Sequence, residues 1–294
     1  MNNRFVPQVT PDNIAPDPSA YWFVFRGTRL LVFVHEDSVS IPLLKNLDDI
    51  AGNILRKHYL GYIDGEKDRP LGEVGAVSCY AAELPNSIDA PHGMAFQDLR
   101  KVYGRLDNHP HTEEQLFSIA GRAIQIIDWD RTHQFCSRCA TPTHTQPHER
   151  AKKCPNCELI TYPKLTPAII VQITRIHKGE RQILLARGHR FPPDWYSVIA
   201  GFVEPGETLE ECVHREVKEE VGVDVKDVRY FGSQPWPFPH SLMVGFTAVY
   251  HSGDIILEEA EIADARWFNR HNLPKIPSSI SIARSLIDDF IKIE

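Results

Sequence analysis

The segment from Gly201 to Val223 restricts the fold of this chain more than any other. It reads Gly201-Phe-Val-Glu-Pro-Gly-Glu207, then, seven residues on, Arg215-Glu-Val-Lys-Glu-Glu-Val-Gly-Val223. Glu216, Glu219 and Glu220 stand at i, i+3 and i+4, so a helix places all three carboxylates on one face. Like charges held one turn apart repel. Hard divalent cations, which prefer oxygen ligands, supply the missing countercharge. Such a face suits metal-assisted attack on phosphate. The plainer alternative, a solvated acidic helix, leaves the glycines and Arg215 unexplained. Thr208 is the expected N-cap, with Glu211 completing a capping box. Leu209, Cys212, Val213 and Val217 form an apolar stripe able to dock on a sheet, and Gly222 ends the helix. Gly201 and Gly206 are expected to let the preceding loop turn sharply. Arg215 is expected to hold Glu207 in a bidentate pair.

A second constraint comes from cysteine spacing. Cys136-x2-Cys139 and Cys154-x2-Cys157 are separated by fourteen residues, while Cys79 and Cys212 are isolated and read as small buried hydrophobes. No apolar export signal precedes them, so four thiolates at this spacing predict a closed, structural zinc site rather than disulfides. The chain is expected to be cytoplasmic, with no run long enough to span a membrane. Its net charge of −7 argues against a protein that coats nucleic acid. The zinc segment is locally basic: Arg131, Arg138, Arg150, Lys152, Lys153 and Lys164 face two acids, Glu149 and Glu158. This excess is either a solvated surface or a phosphate-backbone contact for RNA.

Three modules are expected. Residues 1–130 are β-rich and end in a linking helix; 131–164 form a zinc ribbon; 165–294 form an α/β domain. In the first, Tyr21–Phe25 and Leu30–Val34 flank Arg26-Gly-Thr-Arg29 and predict a hairpin. Tyr59–Ile63 and Val74–Ala81 are further strands, and Thr112-Glu-Glu-Gln115 is a capping box before a helix. His92, His109 and His111 lie among prolines and glycines and read as loop residues. No catalytic constellation and no internal repeat is evident, so this module is read as a packing or dimer-forming element. In the third, strands at Ala168–Thr174, Gln182–Ala186, Val228–Gly232 and Met243–Tyr250 combine with the acidic helix and a last helix near Ile280–Ile293. Mixed strands with two helices fit an α/β/α sandwich. Gln234-Pro-Trp-Pro-Phe-Pro-His-Ser241 reads as a stiff loop. Its rings are a wall for a flat ligand, a rigid turn, or a polyproline ligand for another protein.

The 201–223 segment resembles the Nudix box, G-x5-E-x7-R-E-U-x-E-E-x-G-U with U aliphatic, at every specified position. Gln234–Ser241 resembles the Q-P-W-P-F-P-x-S array of the NADH pyrophosphatase branch of that family, which also carries a four-cysteine module ahead of the box. The resemblance spans essentially the whole chain. It implies a Nudix α/β/α sandwich that cleaves the pyrophosphate of NAD(H) to nicotinamide mononucleotide and AMP, and removes NAD caps from the 5′ end of RNA to leave a 5′-monophosphate. Glu216, Glu219 and Glu220 would hold Mg²⁺ or Mn²⁺, with Glu220 the ligand or general base whose loss is most damaging. The resemblance adds Glu261 as a metal ligand from outside the box. It gives Phe202 and Tyr162 as rings that stack on nicotinamide from different subunits of a homodimer. It makes Gln234, Pro235, Trp236, Pro237, Phe238, Pro239, His240, Ser241 and Ala283 lining residues of the substrate pocket. Zn²⁺ would be held by Cys136, Cys139, Cys154 and Cys157. NAD(H) and NAD-capped RNA are the implied partners, with neither DNA nor membrane. The alternatives are hydrolysis of another dinucleotide or an ADP-sugar, and a non-catalytic nucleotide- or RNA-binding protein.

Overall fold

Aromatic and β-branched runs punctuated by turn residues build the first half of the molecule. The computed structural model describes residues 5–11, 19–48, 52–64, 76–108 and 111–292. Val74, Gly75, His109 and Ile293 therefore lie outside the described residues. The first unit, Met1–Lys164, begins with β1 (Phe5–Pro7), β2 (Ala20–Arg26), β3 (Arg29–Val34), β4 (Val39–Ser40), β5 (Leu43–Leu44), β6 (Arg56–Ile63), β7 (Val77–Glu83) and β8 (Met94–Asp98). Gly27, at φ 61°, makes the tight β2–β3 turn. The eight strands form one sheet, in the order β1-β6-β7-β2-β3-β4 with β5 on β2 and β8 on β3. After the short α1 (Leu99–Val102), α2 (Glu113–Thr132) packs against β6 and β7. The Thr112 hydroxyl accepts from the Gln115 N–H to cap it, and Leu116, Ile119, Ala120, Ala123, Ile124 and Ile127 are buried along it. The unit ends in a three-stranded ribbon of β9 (His144–Thr145), β10 (Lys152–Lys153) and β11 (Ile160–Thr161).

The second unit, Leu165–Glu294, contains β12 (Thr166–His177), β13 (Glu180–Gly188), β14 (Ile199–Phe202), α3 (Leu209–Val221), β15 (Asp224–Trp236), β16 (Ser241–Ser252), β17 (Ile262–Asn269) and α4 (Ile282–Lys292). Lys178 and Gly179, at φ 53° and 83°, close the β12–β13 hairpin. The sheet runs β15-β16-β12-β13-β17, with β14 on β12. On one face Ile169, Val171, Leu184 and Phe246 pack with Cys212, Val213 and Val217 of α3. On the other, Ile170, Ile183 and Leu185 pack with Ala283, Leu286 and Phe290 of α4. Period-2 alternation on the strands feeds both faces, which makes the unit an α/β/α sandwich.

The strand pairings of the two units repeat each other, contrary to the expectation of no internal repeat. In the first, β2 is hairpin partner of β3, pairs in parallel with β7, and carries β5; β7 pairs with β6, and β3 with β8. In the second, β12 is hairpin partner of β13, pairs in parallel with β16, and carries β14; β16 pairs with β15, and β13 with β17. Of the second unit's elements, the one without a counterpart in the first is α3: among the described residues no helix stands between β5 and β6.

Candidate active site and zinc ribbon

The sequence signals for α3 act locally, as expected. Thr208 and Glu211 cap it reciprocally, and Gly222 ends it at φ 75°. Gly206, at φ 94°, turns the loop. Gly201 does something else: it sits inside β14, and a Cβ there would lie 1.9 Å from the Glu216 carboxylate carbon. Glycine is needed at this position for close approach rather than for a turn.

Arg215 lies at the centre of the acidic group. Its Nε and Nη2 grip Glu207 at 3.0 and 2.6 Å, the expected bidentate pair. Its Nη1 also meets Glu216 at 2.8 Å and Glu219 at 3.0 Å. The guanidinium holds the Glu207 carboxyl down at about 2, helped by the Glu204 N–H. Glu220 is different. It is 8% exposed, and no basic side chain among the described residues pairs with it. Burial, and then the charges of Glu216, Glu261 and Glu219, push its carboxyl up to about 8. Glu216 is raised for the same reasons, burial first, against the pull of Arg215. Glu261 reaches this group because the Glu258 N–H donates to the Glu220 carbonyl, and the Glu261 N–H to the Glu258 carbonyl. Four carboxylates thus act on one another, with the deepest uncompensated. Hard oxygen donors under mutual repulsion fit a divalent cation.

The ring of Phe202, at the end of β14, is 55% exposed, while its carbonyl accepts from Arg215 Nη2. Gln234–Ser241 is a β-hairpin end rather than a loop: Gln234, Pro235 and Trp236 finish β15 and pair with Met243, Leu242 and Ser241 of β16. Because β15 is an edge strand, its proline costs no ladder hydrogen bond. Trp236 and Phe238 pack edge to face at 5.1 Å, Pro237 and Ser241 are buried, and Pro239 is exposed. The Gln234 amide is occupied at both ends, donating to the Ile280 carbonyl and accepting from the Ile282 N–H, each at 2.7 Å. It clasps the start of α4, where the Ala283 side chain lies in the core. His240 Nδ1 sits 2.9 Å from the Thr166 hydroxyl. Tyr162, in the first unit, is 56% exposed, and its hydroxyl donates to Glu149 at 3.2 Å. The sequence reading did not single out Glu149 as a partner, and no local pattern marks the pair.

The four cysteines meet. Sγ atoms of Cys136 and Cys157, Cys139 and Cys154, and Cys139 and Cys157 lie 3.5, 3.5 and 3.6 Å apart. Zn–S bonds of about 2.3 Å in a tetrahedron separate sulfurs by roughly 3.8 Å, so the group fits zinc. Left-handed Ala140 and Glu158 close the two knuckles. The Thr141 hydroxyl and N–H and Asn156 hold the Cys139 thiol down at about 5, favouring the thiolate that zinc requires.

The basic excess of the ribbon is not a free surface. Lys152 is 3% exposed and ion-paired with Asp130. Arg150 donates to the Gln8 and Tyr59 carbonyls, and Arg131 pairs with Glu83 and Asp128. Lys153 faces Glu158. Arg138 and Lys164 remain exposed, too few for a phosphate-contacting face, the second of the two readings of this excess.

Residues 165–290 match the NUDIX domain family, 19–129 the NADH pyrophosphatase-like rudimentary NUDIX domain, and 131–162 the NADH pyrophosphatase zinc ribbon domain. The chain is 41% identical over 293 residues to the NAD-capped RNA hydrolase NudC of Deinococcus radiodurans, covering 98% of this chain and 95% of that protein. The chain belongs to the Nudix hydrolases of the NADH pyrophosphatase branch. The protein of the same name from Pseudomonas fluorescens is 44% identical over 277 residues, covering 94% of this chain and 91% of its own. That of Pseudomonas aeruginosa is 46% identical over 240 residues, covering 81% and 78%. The rudimentary domain match agrees with the repeated strand pairings. As a Nudix hydrolase of this branch, the chain carries a zinc ribbon and a box whose chemistry calls for a divalent cation. Among the described residues no helix is long and apolar enough to cross a membrane.

Proposed function

We propose that this chain hydrolyses the pyrophosphate bond of NAD(H) to nicotinamide mononucleotide and AMP, and removes NAD caps from RNA to leave a 5′-monophosphate. Both are one reaction, because a capped RNA carries the same pyrophosphate with its chain extending from the adenosine. The observation that carries the reading is the buried, uncompensated Glu220 among Glu216, Glu219 and Glu261. In this reading those four residues hold Mg²⁺ or Mn²⁺, which polarises the pyrophosphate and acidifies a water. Within that group Glu220 serves as cation ligand or as the base that takes the proton of the attacking water. Arg215 keeps Glu207 and the box loop in place, and Gly201 leaves Glu216 room to lie against β14.

Phe202 and Tyr162 are the proposed stacking rings, contributed by two subunits of a homodimer. Stacking of one base is worth roughly 1–3 kcal/mol. Gln234, Ser241 and Ala283 shape the pocket through the β15–β16 hairpin and the α4 start, with Trp236 and Phe238 as its aromatic wall. The chain is read as three modules, 1–130, 131–164 and 165–294, working in the cytoplasm without DNA or membrane partners. The test is incubation of the pure protein with NADH and with NAD-capped RNA, with and without Mn²⁺, and identification of products by mass. Nicotinamide mononucleotide plus AMP, and 5′-monophosphate RNA, are expected. Absence of cleavage, or scission of another bond, overturns the proposal.

A further inference from the structure

A buried lysine is costly unless it is paired, and Lys152 is paired with care. Its Nζ lies 2.5 Å from Asp130 Oδ1. Asp130, near the end of α2, meets His58 Nε2 of β6 at 2.7 Å through its other oxygen. The Gln134 amide donates to Asp130 Oδ1 at 2.7 Å. Two positions before Lys152, Arg150 reaches the carbonyls of Gln8, just after β1, and Tyr59, within β6. The N-terminal sheet and α2 therefore grip Arg150 and Lys152, in one short stretch of the ribbon that begins at Glu149.

That stretch also sets Tyr162 from two sides. Lys152 is the cross-strand partner of Thr161, the residue just before Tyr162. Glu149 accepts the Tyr162 hydroxyl. A shift of the gripped strand moves both the backbone beneath the ring and the acceptor at its tip. We infer that Asp130 and Lys152 are positioning residues for Tyr162, and that the N-terminal module serves the reaction by holding the ribbon strand that aims this ring. The inference deepens the reading of Tyr162 as a stacking ring and rests on it.

The test uses the full-length, zinc-loaded protein. Lys152→Met, Lys152→Arg, Asp130→Asn and Tyr162→Ala are compared with the Tyr162→Ala/Lys152→Met double variant. Zinc content should stay unchanged in all. Hydrogen exchange over residues 158–163 should quicken about tenfold in Lys152→Met. KM for NADH should rise about tenfold in Lys152→Met and in Tyr162→Ala, with kcat within about threefold. The double variant should be no worse than Tyr162→Ala alone, because the lysine acts through the ring. Lys152→Arg, which keeps the charge, should recover part of the loss. Should Lys152→Met fail to fold, the near-isosteric Asp130→Asn carries the same comparisons. Additive effects in the double variant, or unchanged exchange in a folded Lys152→Met protein, overturn the inference. A Tyr162→Ala enzyme with unchanged KM overturns the stacking reading, and this inference with it.

Discussion

Replacing Glu220 with glutamine should make the cation-free protein more stable while destroying its activity. The carboxyl ionises near 4.5 when exposed and at about 8 in the fold. Between those values the folded protein holds a proton that the unfolded chain has released, so stability is lost as pH rises through the window. One pH unit is worth 1.36 kcal/mol per group. Linkage then gives a penalty of about 3 kcal/mol at pH 7 and under about 1 kcal/mol at pH 5. Glutamine has the same shape and no charge, so the variant should escape most of this cost. For a domain of this size the gain corresponds to roughly 5–10 °C in Tm near neutral pH. The assay is thermal unfolding of both proteins at pH 5 and pH 7.5, zinc retained and no other cation added. A Tm gap that opens with pH is expected, and Mn²⁺ should narrow it by stabilising the wild type more than the variant, which has lost one of four ligands. Hydrolysis should fall about 100-fold to 10,000-fold. A variant no more stable than wild type at pH 7.5, or a gap equal at both pH values, would refute the electrostatic account of Glu220.

Other substitutions probe other parts of the argument. Cys154→Ser should release zinc and lower Tm, and a full zinc complement by elemental analysis would count against the four-sulfur site. Gly201→Ala should fold, because the new methyl meets a movable side chain, but should displace Glu216 and cut activity at least about tenfold; unchanged turnover would mean that Glu216 has slack. Phe202→Ala should raise KM for NADH roughly tenfold with its melting temperature preserved, as measured by steady-state kinetics beside calorimetry. Lys153→Ala, which removes an exposed pair with Glu158, should shift stability by less than about 0.5 kcal/mol in urea titrations.

What the sequence made legible was local. The α3 helix announced itself through Thr208, Glu211, its apolar stripe and Gly222, all within a few residues of one another. The cysteine knuckles and the β2–β3 turn were equally readable for the same reason. Glu261 was weak among its neighbouring glutamates until the backbone bonds from Glu258 to Glu220 brought it close. Lys152 misled because charge alone suggests a surface, and its partners His58 and Asp130 lie far away along the chain. The prolines of Gln234–Ser241 suggested a loop because proline is excluded from central strands, whereas an edge strand admits it. The repeated pairing scheme was hidden because backbone ladders recur without recurrence of side chains, and among the described residues the first copy has no acidic helix to flag it.

Two halves built to one blueprint pose a hazard when the polypeptide first collapses. Edges with matching order could recruit the wrong mate, giving a scrambled or domain-swapped species. Divergence of the two halves removes that degeneracy, since each ladder then closes well only with its own apolar faces.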